Sequence, residues 1–441
     1  SIRYYRSLHP AARPRTRVIF ITLDTVRADH LSCYGYYRKT SPHIDAIAQQ
    51  GARFSLAICP MSLTDPSHAS MFTGLYPWSH GVTDILVPLA VEPPSLPEYF
   101  KDRGFGTAAI VSRFKLSPAH SLLLPGFDYE SVPGRGGQEA SAPATFRRAA
   151  SWLTRRRDEN VFMWVHFFDA HSPYLPHQGS VARFTDASEE CVAEPWLKPD
   201  ESYSEDKVKR CVGLYDGEIA YVDYWVGRLV SWVEDLEPKS EEPPLIVLTA
   251  DHGETLGEYQ SHPLHYGFGH GGLLYNSENH IPLILYWPGH VPAGRVDNSV
   301  AETVDLAPTL VDYVFDKHDF KGQGQSLRPL IEGTGQGDDI GFIQRWRTDE
   351  DPPRPQMSRP AYAVVQAGTK LIVEEGKPAE LYDLSADPKE ERNLLDQRPD
   401  QAQALTREFG RWMERTPEVQ PSRRNLNGKE RDALKALGYI Q

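Results

Sequence analysis

Five short apolar runs, rich in β-branched and aromatic residues, each stop abruptly at polar residues, and this pattern restricts the fold more than any other feature. Val18–Leu23 (VIFITL) runs into Asp24, and Ala108–Val111 precedes Ser112 and Arg113. Val161–Phe168 ends at Asp169-Ala170-His171, Leu245–Leu248 at Thr249-Ala250-Asp251-His252, and Ile281–Trp287 at Pro288-Gly289. Unbroken apolar runs of this length read as strands buried on both faces, the habit of a parallel sheet covered by helices.

Helical signals lie between the runs. Ser41-Pro42 opens HIDAIAQQ and Gly51 closes it; Ser95 to Arg103 with Gly104 repeats the design. Tyr215 to Glu234 sets Ile219, Val222, Val226, Leu229, Val230 and Val233 at helical spacing. Strand and helix alternation predicts an α/β fold, with a large, mostly parallel sheet flanked by helices. Gly335 to Pro360, rich in Gly, Asp, Arg and Pro, reads as a linker. Ala361–Val365, Lys370–Glu374 and Glu380–Asp383 follow as short antiparallel strands, and Ala402 to Arg415 as a terminal helix. The expected division is a catalytic domain over 1–335 and a small α+β domain over 336–441. Gln178 to Asp206 reads as a surface loop.

The formal charge of −13 argues against nucleic-acid binding, yet leaves room for a small anionic substrate held locally. The four cysteines form no CxxC pair, which disfavours a structural zinc knuckle; Cys191 and Cys211 could pair across a loop. No apolar run is long enough to span a membrane. The chain opens without Met, so an upstream segment, the compartment and the oligomeric state stay open.

In an open parallel sheet the functional crevice lies beyond the carboxyl ends of the strands. Asp24, Asp169, His171, Asp251 and His252 all fall at such ends. Any one alone reads more readily as a helix cap or loop residue; their shared position is the signal. A second signal is six of the 16 histidines between Asp251 and His290, of which His252 and His270 are the best site candidates, while His290 and some others read as surface residues of a polar loop. A third is TDPSHASMFTG, which places Thr64 at a helix amino terminus, a natural anion site.

LDTVRADHLSCYGY from Leu23, TDPSHASMFTGLYPWSHGV from Thr64, TADHGETLGE from Thr249 and HGGLLYNSENHIPLILYWPG from His270 resemble the sulfatases of the alkaline phosphatase superfamily. HFFDAHSPY from His166, ELYDLSADPKEERNL from Glu380 and the closing LKALGYI are similar to the family as well. The resemblance implies that family's α/β core and smaller carboxy-terminal sheet domain. It also implies that Asp24, Thr64, Asp251 and His252 bind one divalent metal, that His171 and His270 bind the anion or protonate the leaving group, and that His68 orients substrate. Mn²⁺ is the first expectation, with Zn²⁺, Ca²⁺ or Mg²⁺ as alternatives for this largely oxygen donor set. Asp169 reads as a second ligand, a His171 orienter or a cap; Arg27 and Asp29 read as structural.

Departures from the family pattern matter as much as the likeness. Sulfatases carry Cys-x-Pro-Ser-Arg, whose Cys becomes formylglycine; here Thr64-Asp65-Pro66-Ser67-His68 occupies that register. Asp24-Thr25 stands where two Asp are usual, and His270 replaces a Lys. The leading expectation is therefore a metal-dependent phosphate-ester hydrolase working through a covalent Thr64 intermediate. The alternatives are a phosphoethanolamine or phosphoglycerol transferase, a sulfatase, and a binding protein without activity.

Overall fold

The computed structural model describes residues 15–84, 87–90, 95–113, 126–133, 139–177, 179–180, 183–192, 194, 197, 201–236, 242–260, 266–345 and 360–419. The six first strands are β1 (Arg17–Leu23), β2 (Ala52–Ile58), β3 (Gly106–Val111), β4 (Tyr129–Ser131), β5 (Val161–Phe167) and β6 (Leu245–Ala250). A two-stranded ribbon comes next, β7 (Thr255–Leu256) with β8 (Phe268–Gly269), then β9 (His280–Ile281), β10 (Leu283–Tyr286) and β11 (Arg295–Glu302). Nine of these strands form one sheet in the order β11-β2-β10-β6-β1-β5-β3-β4, with β9 on β2. β1 pairs in parallel with both β5 and β6, and every residue of the three strands is buried. Those are three of the continuous apolar runs, and helices on both faces explain why no polar alternation was needed.

The sheet is mixed, which corrects the expectation for Ile281–Trp287. Pro282 lacks an N–H for the ladder and divides that run, and β10 lies antiparallel between β6 and β2. β2 and β11 had no apolar-run signal because their burial is interrupted by half-exposed and exposed positions.

Seven helices position or brace the site: α1 (Pro42–Gln50), α2 (Thr64–Thr73), α3 (Leu96–Lys101), α4 (Ala142–Thr154), α5 (Glu205–Asp235), α6 (Leu306–Phe315) and α7 (Pro399–Arg415). Ser41 precedes α1, but its side chain does not cap it. Buried Asp223 of α5 instead accepts from the His43 and Ile44 N–H groups, at 3.0 and 2.8 Å. α5 begins ten residues before the apolar pattern does, so the segment read as loop is helical from Glu205. A Cys191–Cys211 disulfide ties that segment to α5.

Four antiparallel strands make the small sheet: β12 (Ile340–Arg345), β13 (Ala361–Gln366), β14 (Thr369–Glu374) and β15 (Glu380–Asp383). β12 falls within the stretch read as linker, whose residues 346–359 lie outside the described set, as do LKALGYI, His262 and His265. α7 packs on this sheet, with Phe409 stacked on Tyr362 at 3.6 Å between ring centroids. Among the described residues, no helix is long and apolar enough to cross a membrane.

One buried ion pair joins the small sheet to the segment behind the site. Lys370 Nζ lies 2.8 Å from Glu390 Oε1 and 3.1 Å from Asn276 Oδ1, while Glu390 Oε2 accepts from the Asn276 N–H at 2.6 Å. Both ions are fully enclosed, so removing one strands the other's charge. Lys370→Met is expected to cost about 3–5 kcal/mol in urea unfolding. The double variant Lys370→Met/Glu390→Leu should recover much of that loss; equal losses in both would contradict the pairing.

Candidate active site and metal centre

The parallel strands deliver their carboxyl ends to one edge. Asp24 follows β1, His166 lies near the end of β5, Arg113 follows β3, and Asp251-His252 follow β6. β2 leads through 59–63 to α2, whose first residue is Thr64. All ten residues of α2 are buried, polar ones included, and its polar side chains are drawn into hydrogen bonds. Ser67 Oγ donates to Asp251 O at 2.6 Å, and Ser70 Oγ meets His80 Nε2 at 3.0 Å. The first of these ties holds the amino-terminal half of α2 against the end of β6.

Three donor groups converge beside Thr64. Asp24, Asp251 and His252 each offer one ligand atom, all within 4.8 Å of one another, and all three side chains are fully buried. Asp251 Oδ1 accepts from the Thr25 and His252 N–H groups at 3.1 and 2.9 Å, leaving Oδ2 directed into the cluster. Asp251 Oδ2 and both oxygens of Asp24 have no hydrogen-bond partner among the described residues. His252 Nδ1 donates to Gly253 O at 2.9 Å, which leaves the lone pair on Nε2, 3.6 Å from Asp251 Oδ2. Buried carboxylate oxygens without hydrogen bonds and an imidazole fixed in its ligating tautomer fit a divalent cation.

Electrostatics agree with that fit. Burial pushes the Asp24 carboxyl up to about 6, opposed by Arg113, and pushes His252 down. A cation at this point would reverse the cost of holding both carboxylates ionised.

Thr64 Oγ1 lies 3.4 Å from His252 Nε2 and accepts from Arg113 Nη1 at 3.2 Å. Arg113 Nη1 is also 3.9 Å from Asp24 Oδ2, so the guanidinium bridges the Thr64 oxygen and the donor cluster. Thr25, which stands where the family pattern has a second Asp, has φ 59°. That is an uncommon conformation for a β-branched residue, costing about 1–3 kcal/mol. Thr25 Oγ1 donates to Ala170 O at 3.1 Å and Tyr215 donates to Thr25 O at 2.7 Å; these bonds hold the turn that aims Asp24 inward.

The histidines divide by environment. His68 is fully buried beneath α2: Nδ1 donates to Thr64 O at 2.8 Å, and Nε2 meets Thr22 Oγ1 at 3.1 Å. Trp164 Nε1 donates to the same hydroxyl at 2.8 Å, so Thr22 passes its own hydrogen to His68. The substrate-orienting role expected for His68 has no ring nitrogen left to serve it. His171 Nδ1 donates to Ser172 O at 2.7 Å, while its Nε2 has no partner among the described residues. His270, 5.2 Å from His171 and 4.3 Å from His252 by ring centroids, places Nδ1 3.1 Å from Glu254 Oε1. The other oxygen of Glu254 accepts from Tyr174.

Asp169 Oδ1 accepts from the Ala142 N–H at 2.8 Å and so caps α4, one of the three roles anticipated for it. Arg27 is locked to Asp29 and Glu258 and to Glu254 O, a structural cluster.

Three residues of the site escaped the sequence reading. His166 Nε2 is 3.2 Å from Asp24 Oδ2, and Arg113 and Glu254 make the contacts above. Two of them obey the strand-end rule that located Asp24. Arg113 sat at such an end unweighed, and His166 was masked inside an apolar run.

Comparison with known proteins decides the lineage. The sulfatase family model matches residues 16–316, and the model described as N-sulphoglucosamine sulphohydrolase, C-terminal, matches 265–416. The chain belongs to the sulfatase family. It is 23% identical to an N-acetylglucosamine-6-O-sulfatase of Bacteroides thetaiotaomicron, covering 86% of this chain and 83% of that protein. It is 26% identical to human arylsulfatase A, covering 87% and 84%. Among solved structures, one in complex with its substrate D-glucosamine-2-N,6-O-disulfate superposes with a TM-score of 0.74 at 19% identity, covering 91% of this chain and 98% of that one. A phosphonate monoester hydrolase of Agrobacterium radiobacter gives 0.76 at 20%, covering 93% and 100%.

These matches correct the expected substrate. Phosphate esters stood first because Thr64 replaces the family Cys, but the curated relatives that match across the chain are named mostly as sulfatases. A single residue at the position of the family Cys does not outweigh a likeness over most of the chain.

Sulfatase-family enzymes depend on a metal, and the Asp24–Asp251–His252 cluster has the spacing of a possible metal-binding site. Isothermal titration with Mn²⁺ should show one ion bound, with Asp251→Asn weakening it by roughly 100-fold or more. Because metal-free Asp24 keeps its proton up to about pH 6, whereas an unfolded Asp has lost it by about 4, that group's contribution to apo stability falls as pH rises between those values. The thermal shift produced by Mn²⁺ should therefore grow from about pH 5 to about pH 7; a constant shift would contradict competition between proton and metal.

Proposed function

We propose that this protein is a metal-dependent hydrolase of sulfate esters in which Thr64 Oγ is the nucleophile. The observation that carries the reading is Thr64 Oγ1 at the head of α2, 3.2 Å from Arg113 Nη1 and 3.4 Å from His252 Nε2, in a chain matched to the sulfatase family over 16–316. Relatives named for sulfated amino sugars support the ester class. Bound to Asp24, Asp251, His252 and Thr64, a divalent ion, Mn²⁺ first among those to test, would supply positive charge to the reacting oxygens.

The chain's own groups then act in two steps. Thr64 Oγ forms a bond to sulfur as the bond from sulfur to the leaving oxygen breaks. The Thr64 proton goes to His171 Nε2, the ring nitrogen left as an acceptor, and the leaving oxygen takes a proton from His270 Nε2. Water then attacks the sulfothreonine sulfur and gives a proton to His270; Thr64 Oγ departs and recovers its proton from His171. Arg113 offsets charge on the sulfuryl oxygens throughout. Retaining a hydroxyl nucleophile means that sulfate leaves by attack at sulfur, since threonine lacks the carbonyl hydrate that formylglycine provides.

Glu254 is a positioning residue: accepting from His270 Nδ1, it turns Nε2 toward the ester. Against nitrophenyl sulfate with Mn²⁺, Thr64→Ala is expected to lose roughly 10³-fold or more in kcat. A nitrophenyl phosphodiester and monoester serve as controls; faster phosphate than sulfate cleavage, or a Thr64→Ala enzyme of undiminished rate, would sink the proposal. Glu254→Gln should slow an alkyl sulfate by about 10²-fold and nitrophenyl sulfate far less, because only the poor leaving group needs the proton. Equal slowing of both esters would mean Glu254 merely supports the fold.

A further inference from the structure

One cavity, about 560 Å³, is walled by Tyr76, Glu302, Asp305 and Trp412, but its buried carboxylates are already committed. Glu302 accepts from Tyr76 and the Phe342 N–H, and Asp305 from the Gln325 and Glu302 N–H groups. A smaller cleft has the opposite character. It encloses about 290 Å³ between β4 and α4, lined by Tyr129, Ala144, Arg147, Arg148, Ser151 and Arg155, with no carboxylate among the described residues of its wall.

Three guanidinium groups sharing one cleft in a chain of charge −13 need an explanation. Arg155 caps the carboxyl end of α4 and donates to Ser151 Oγ at 2.7 Å, a structural duty that accounts for one charge only. Arg148 is half-buried and donates to Val111 O and Thr145 Oγ1, both at 3.2 Å and both neutral; its Nε is buried with no partner among the described residues. None of the three arginines forms an ion pair among the described residues, whereas Arg27, Arg38, Arg328 and Arg345, each with a buried face, do. Glu130, beside Tyr129 on β4, is directed to the opposite face by strand alternation. Burial pushes the Arg148 guanidinium down.

The cleft is tied to β3, one of the strands that lead to the catalytic edge. Val111, whose carbonyl holds Arg148, is followed two residues later by Arg113, which holds Thr64 Oγ1. We propose that this cleft is a second oxyanion site, taking a sulfate-type group through Arg147, Arg148 and Arg155 with the Ser151 hydroxyl. Two sources carry that chemistry: a further sulfo group on a polysulfated substrate, or free inorganic sulfate. The substrate arm rests on the sulfate-ester reading above; the free-anion arm does not.

Calorimetry on the full chain, metal-loaded, separates the sources and needs no turnover, so failure of the sulfatase reading would not be mistaken for failure of this one. The probes are sodium sulfate at constant ionic strength and a dextran sulfate oligosaccharide, titrated into the wild type, Arg148→Met and Arg147→Gln/Arg155→Gln. The exposed double variant guards against a folding defect at the half-buried Arg148. Affinity should fall roughly tenfold for each guanidinium removed. Loss for the oligosaccharide alone assigns the site to substrate; loss of one inorganic sulfate per chain assigns it to the free anion. Unchanged binding of both probes in both variants would overturn the proposal.

Discussion

Two carboxylates, Asp24 and Asp251, are fully buried side by side with three oxygens that accept no hydrogen bond among the described residues. Ionised and unaccompanied, that pair would be among the most costly arrangements a folded protein can hold. A cation removes the cost, and the surrounding architecture is organised around delivering these oxygens to one point. β1 and β6 are hydrogen-bonded neighbours in register, so the residues that follow them emerge together. Thr25 holds a left-handed turn to aim Asp24, and the backbone at Thr25 and His252 consumes the outer oxygen of Asp251, so that the inner one is presented.

Support for the cluster comes from distant parts of the chain. Gly253 sits against Ser277 O, where a Cβ would come within 2.2 Å, and its N–H donates to Glu278 O at 2.7 Å. Glu278 in turn gathers Ser62 and the Gly272 and Leu273 N–H groups onto one oxygen, joining the approach to Thr64 with the segment after His270. The Lys370–Glu390 pair anchors Asn276 of the same segment to the small sheet. The small sheet thus reaches the chemistry from behind, through hydrogen bonds to the segments that flank it: Arg345 donates to Gly272 O at 2.6 Å and the Gln344 N–H to Pro60 O at 2.7 Å.

Much of this was legible in the residues alone. Continuous apolar runs announced β1, β5 and β6, and polar residues at their ends announced Asp24, Asp251 and His252. What escaped did so for physical reasons. β2 mixes buried with half-exposed positions, β11 adds exposed ones, and neither carries an apolar run. β10 reverses direction, which hydrophobicity does not encode. His166 was hidden because a strand interior reads as core, and His68 was assigned toward substrate because sequence register cannot show that both its nitrogens face inward. The substrate class was misjudged by weighting one position, Thr64, above the rest of the chain.

In the mechanism proposed above, threonine in place of the family Cys changes how the intermediate is resolved and keeps the need for a cation at its oxygen. The measurement that tests this most directly is anomalous diffraction from crystals grown with Mn²⁺. One anomalous peak is expected within coordination distance of Asp24, Asp251 and His252, with Thr64 Oγ on the same ion. Crystals saturated with Mn²⁺ that show no peak there, or an ion that leaves Thr64 outside its reach, would contradict a cation-centred site.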